Sequence, residues 1–136
     1  MTDAERIQAL VLYRLEQAEE ALAAAQSNLV GGFERSAISR AYYSMFYAVL
    51  ALLATTRTET SRHGMAIAQF DQHYVKTALF TKEYSRSLHE AFLHRQKADY
   101  GTVKPTLTRE QIQELLTDAR HFVDGVRKYL QSQSFA

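Results

Sequence analysis

The sequence predicts an all-α protein, an antiparallel up-and-down bundle of four long helices plus one short helix. Three observations carry this. The 136 residues include five glycines and one proline, Pro105, so long helices can run without internal breakers. Apolar residues recur at steps of three and four along most of the chain. Thr2 with Glu5 and Thr108 with Gln111 form two candidate capping boxes, each just ahead of such a stretch.

The first helix presents Ala4, Ile7, Val11, Leu15, Ala18, Leu22, Ala25 and Leu29 on one face, and Gly31-Gly32 ends it because glycine leaves the helical region at no Cβ cost. A tight turn leads to the second helix, about 33–55, which carries two stripes. The bulky one is Ile38, Tyr42, Met45, Phe46, Val49, Leu52 and Leu53; the small one is Ala37, Ala41, Ser44, Ala48 and Ala51. A helix apolar on two faces belongs at the centre of a bundle, and the small stripe lets a neighbouring backbone come close. Residues 55–61 read as a loop, followed by a short helix with His63, Ile67, Phe70 and Tyr74 on one side. Thr81 is placed to cap a fourth helix bearing Tyr84, Leu88, Ala91, Phe92 and Arg95, stopped by Gly101 and Pro105. Ile112, Leu115, Leu116, Ala119, Val123, Val126 and Leu130 line the last. Residues 1–130 then form one domain and 131–136 a flexible C-terminal tail.

Composition narrows the function. There is no cysteine, which removes disulfides and thiolate chemistry, and the opening residues do not resemble a secretion signal. No apolar stretch is expected to span a bilayer, and a cytoplasmic location is expected. The net charge of +1 gives no general pull on phosphate polymers, but the charge is uneven. Residues 1–30 carry three more acidic than basic groups, and residues 76–104 three more basic than acidic. Phosphate-cradling glycine loops and the Gly-x-Ser-x-Gly elbow are missing from the sequence. Glu90 with His94 is the nearest approach to a di-iron Glu-x-x-His pair and is misspaced, so neither metal nor cofactor is expected.

Two phrases stand out. In RAYYSMFY, Arg40 to Tyr47, Tyr42, Met45 and Phe46 suit a core, whereas Tyr43 and Tyr47 share another face and suit an interface between subunits. In HRQKADYG, His94 to Gly101, Arg95 and Asp99 are four apart and are placed to pair as a surface contact. The alternative is that Arg95, Lys97 and Tyr100 offer cationic groups and a phenol to a phosphate where the helix ends. His63 and His73 are placed to hold the short helix, and His89 and His121 read as ordinary helix residues.

Together, RAYYSMFYA (Arg40–Ala48), HYVKTALF (His73–Phe80) and RQKADYG (Arg95–Gly101) resemble the small bacterial and archaeal HEPN proteins. The resemblance implies a helical bundle that commonly dimerises and is often encoded beside a minimal nucleotidyltransferase. Many HEPN proteins are metal-independent ribonucleases and toxins whose motif is Arg, four to six residues, then His, in a cleft between subunits. Here the motif position reads Arg95, four residues, then Tyr100, so the histidine is replaced. A tyrosine of ordinary pKa about 10 is a poor base at neutral pH. Arg57 and His63 meet the literal spacing, but in the loop before the short helix, where chance supplies such a pair as readily as function.

By this resemblance, Arg95 and Tyr100 are the catalytic candidates, with His94, Lys97 and Asp99 in support, in a homodimer that binds and cleaves RNA. The competing expectation is a noncatalytic helical module that holds a minimal nucleotidyltransferase antitoxin or a nucleotide. In related toxin–antitoxin pairs the nucleotidyltransferase adenylylates a tyrosine near the motif, which makes Tyr100 the candidate acceptor.

Overall fold

The computed structural model describes residues 1–100 and 107–136. Five α-helices follow in order: α1 (Asp3–Val30), α2 (Glu34–Ala54), α3 (His63–Phe70), α4 (Lys82–Tyr100) and α5 (Arg109–Ser132), with a π-helical turn, Asp71–Val75, continuing α3. Among the described residues there is no strand. The fold is the all-α bundle that the spacing predicts.

Both capping boxes form. Thr2 Oγ1 accepts from the Glu5 N–H at 3.2 Å, and Thr108 Oγ1 accepts from the Gln111 N–H at 3.1 Å. At the end of α1, Gly32 takes the left-handed conformation (φ 85°), and the Phe33 N–H reaches back to the Asn28 carbonyl at 2.8 Å. This is the closure that a Schellman motif requires. The same closure recurs where the sequence has no glycine: Arg57 (φ 57°) ends α2 and Ser134 (φ 66°) ends α5. At the latter, the Phe135 N–H donates to the Leu130 carbonyl at 2.8 Å. Helix α5 therefore runs two residues past the expected end at Leu130, and Phe135 packs against the core. The expected stop of α4 at Gly101 and Pro105 lies outside the described residues.

α2 is the central element. It packs against α1, α3, α4 and α5 and stands between the backbones of α1 and α4. All five residues of its small stripe are completely enclosed, and the bulky stripe is buried alongside them. α2 alone among the described helices is long and apolar enough to cross a membrane, contrary to the expectation of no such stretch; its two apolar faces are instead covered by the other helices. The ion pair of Glu19 with Arg120 and the contact of Gln26 with Gln113 run α5 antiparallel to α1. Tyr43 beside Arg95, with Ser36 and Ser39 facing one cleft together with Ala98 and Asp99, runs α4 antiparallel to α2.

Candidate anion site between α2 and α4

Leu88, Ala91 and Ala98 are buried on one face of α4, and Arg95 falls on that face, four residues after Ala91 and three before Ala98. Its side chain is drawn into the seam with α2 and is 16% exposed. There the guanidinium donates from Nη2 to the Tyr43 hydroxyl at 3.1 Å and sits 5.3 Å from the centre of the Tyr43 ring. Arg40 covers the same ring at 4.7 Å. Arg95 Nε lies 2.9 Å from Asp99 Oδ2 without a well-aimed N–H, so this contact is an ion pair rather than a directed hydrogen bond. Two guanidiniums thus share one tyrosine with one carboxylate between them, leaving a positive excess in a low-dielectric seam.

Next to this cluster is a cleft of about 460 Å³ lined by Asn28, Arg35, Ser36, Ser39, Arg40 and Asp99. It opens where the C-terminal end of α1, the first turns of α2 and the last turn of α4 meet. Its lining is polar and cationic, the character of an anion site rather than of an apolar ligand pocket.

The residues singled out by the HRQKADYG phrase do not all gather. Arg95 and Asp99 pair as their spacing suggests. Tyr100, the last residue of α4, is 81% exposed and makes no contact with Arg95 among the described residues. Lys97 is exposed. His94 is half-buried with Nδ1 enclosed and unpartnered; burial and the nearby Lys97 hold its pKa below the usual histidine value, against the pull of Glu90. Tyr43 and Tyr47 are half-buried with rings 5.9 Å apart, and Tyr43 is turned to Arg95.

Sequence reasoning did not connect three residues to this place. Arg40 was only the start of an aromatic phrase, Tyr42 was a core residue, and His63 an anchor of the short helix. In the fold His63 Nδ1 is 2.6 Å from the Tyr42 hydroxyl. Its ring stacks on Phe46 (4.3 Å, 21°) and meets the edge of Tyr43 (5.6 Å, 84°). Burial lowers the His63 pKa, and the Arg95 charge lowers it further. Burial raises that of Tyr42 well above the usual phenol value, with Arg95 offsetting part of the rise. The literal Arg57–His63 pair is not a site: Arg57 bonds Asp3 of α1 at 3.0 Å.

The HEPN domain model matches residues 11–129, which includes every residue of this cluster. "Putative toxin MJ0605" of Methanocaldococcus jannaschii is 36% identical over 126 residues, covering 93% of this chain and 90% of that protein. "Putative toxin MJ0142" of the same organism is 34% identical, covering 88% and 81%. A "UPF0332 protein" of Thermotoga maritima is 30% identical, covering 90% and 92%. With its bundle, its RQKADYG phrase and these matches along almost its whole length, the chain belongs to the HEPN domain family.

Proposed function

We propose that this protein is a HEPN toxin that acts as a homodimer and binds RNA by its phosphates at Arg95, cleaving it without a metal ion. The observation that supports this reading best is the held guanidinium of Arg95. It is sunk into a seam beside a second arginine and a polar cleft, with N–H donors beyond the one given to Tyr43. An incoming phosphodiester, a monoanion like the Asp99 carboxylate, competes with Asp99 for that guanidinium and meets the positive charges of both Arg95 and Arg40. Two copies related by a twofold axis double the patch, which answers the weak overall charge. The names of the two archaeal relatives agree with a toxin.

The test is cleavage of total RNA in chelator by wild type and by Arg95→Ala, both first checked for melting temperature and for dimer mass by light scattering. Wild type cuts, and the variant loses about a hundredfold or more of the rate with its fold intact. Equal cutting by both proteins removes Arg95 from the chemistry; cutting by neither removes the nuclease.

The exposure of Tyr100 favours a second reading. A phenol standing clear of the bundle at the end of α4 is accessible to a modifying enzyme. In this reading a minimal nucleotidyltransferase partner binds the bundle and transfers the adenylyl group of ATP to the Tyr100 hydroxyl oxygen, releasing pyrophosphate and the phenol proton and silencing the site. Mass spectrometry after coexpression detects the added nucleotide on the peptide containing Tyr100. An unmodified Tyr100 beside a demonstrably active partner counts against it.

A further inference from the structure

Tyr42 is completely enclosed, and its hydroxyl has one hydrogen-bond partner among the described residues, His63 Nδ1 at 2.6 Å. Burial keeps the phenol protonated. A buried O–H left without an acceptor is costly, so the phenol proton is directed at Nδ1. Nδ1 then serves as the acceptor, and the single hydrogen of the neutral imidazole resides on Nε2. A second proton on the ring would have to displace the Tyr42 hydrogen bond. His63 is therefore unsuited to replace the missing motif histidine as a base. It is a neutral donor.

The ring is also fixed in direction. Phe46 stacks against it at 4.3 Å, Phe92 lies parallel at 6.3 Å, and Tyr43 closes one edge. The Tyr43 ring is the one that Arg95 and Arg40 cover. Nε2 has no hydrogen-bond partner among the described residues, and the residue is partly exposed. A neutral donor beside two guanidiniums adds recognition without adding charge repulsion.

We propose that His63, oriented and held in its Nε2–H form by Tyr42, is a second anion-binding residue of the Arg95 site and donates to the same RNA phosphodiester that Arg95 grips. This rests on the RNA reading above. The ligand-binding set would thus come from α2, the start of α3 and α4, whereas the motif by itself supplies residues of α4 alone.

The test has two arms. Long-range 1H–15N correlation spectra of the free wild-type protein identify the tautomer of His63, with Tyr42→Phe as the control that removes the lock. An Nε2–H tautomer in wild type that becomes mixed in Tyr42→Phe is expected; an Nδ1–H tautomer in wild type overturns the proposal whether or not RNA binds. The second arm measures binding of a fluorescein-labelled single-stranded RNA by anisotropy. His63→Leu weakens it about tenfold or more, as loss of a hydrogen bond to a charged group should. His63→Gln, whose amide N–H reaches about as far as Nε2, stays within about threefold of wild type. If both variants lose binding alike, ring packing and not the donor matters, and the proposal fails. Full binding by His63→Leu with loss in Arg95→Ala overturns the role of His63 and leaves the RNA reading standing. Failure of wild type to bind overturns both. Should a His63 variant unfold, the tautomer in wild type still decides.

Discussion

Gly125 shows how one residue is set by its neighbour. It sits in the middle of α5, where glycine costs about 1 kcal/mol relative to alanine. A Cβ there would lie 2.0 Å from the Tyr84 hydroxyl, 2.7 Å from Cζ and 2.8 Å from Cε2. Tyr84 is poorly placed to move aside, because its ring is packed against Phe80 at 5.0 Å and against Phe122 and His121 at 5.5 Å each. Overpacking of this kind costs about 1–3 kcal/mol, enough to outweigh the gain in helix propensity. Gly125→Ala is therefore expected to lower the melting temperature, by scanning calorimetry. A raised one would mean that Tyr84 repacks freely. Along the sequence Gly125 is simply a helix residue of poor propensity. The reason for it lies 41 positions away in Tyr84. The candidate site has the same limit: Arg95 and Asp99 are legible as a pair because they are one helical turn apart, but Tyr42, His63 and Arg95 meet only through the tertiary fold.

The helices themselves were legible because their signals are local. Capping boxes span four residues and stripes repeat every turn, so α1, α2 and α5 match their expected spans closely. What was not legible is the backbone that breaks a rule. Arg57, Ala78 and Ser134 adopt left-handed conformations that composition assigns to glycine. The π-turn after α3, with the Lys76 N–H bonded to the Asp71 carbonyl at 2.8 Å, has no glycine or proline to mark it. Tertiary contacts hold such places: Arg57 pairs with Asp3, and Phe80, just beyond Ala78, is buried among Phe70, Tyr74 and Tyr129. The small stripe of α2 gives the prediction at this scale. Ala48 is completely enclosed, as are the other four members. Ala48→Leu adds three carbons where no space is left, which costs about 1–3 kcal/mol or more. The urea midpoint falls by the matching amount if the face is close-packed, whereas an unchanged midpoint denies it.

At the scale of the whole molecule, closure of the bundle depends on α1 meeting α5, since α2 stands between the backbones of α1 and α4. Part of that seam is ionic. Arg120 Nη1 approaches the two carboxylate oxygens of Glu19 at 2.8 and 3.0 Å, and Arg127 Nη2 donates to one of them at 3.1 Å. Partial burial pushes the Glu19 pKa up, but Arg120 and Arg127 outweigh it and hold the carboxyl below its ordinary value of 4.5. The unfolded chain keeps the ordinary value, so below about pH 4.5 it binds the proton that the folded state resists. Stability from this group is therefore fully present above pH 4.5 and is lost as the pH falls through the lower, folded pKa. Glu19 is 36% exposed and water screens it, so the network is worth about 1 kcal/mol or less. Glu19→Gln lowers the melting temperature slightly at pH 7, and the gap to wild type narrows as the pH falls below 4.5, because the wild-type carboxyl then moves toward its neutral form. A gap between the two proteins that stays constant from pH 7 to pH 3 would show that the glutamate contributes by packing and not by charge.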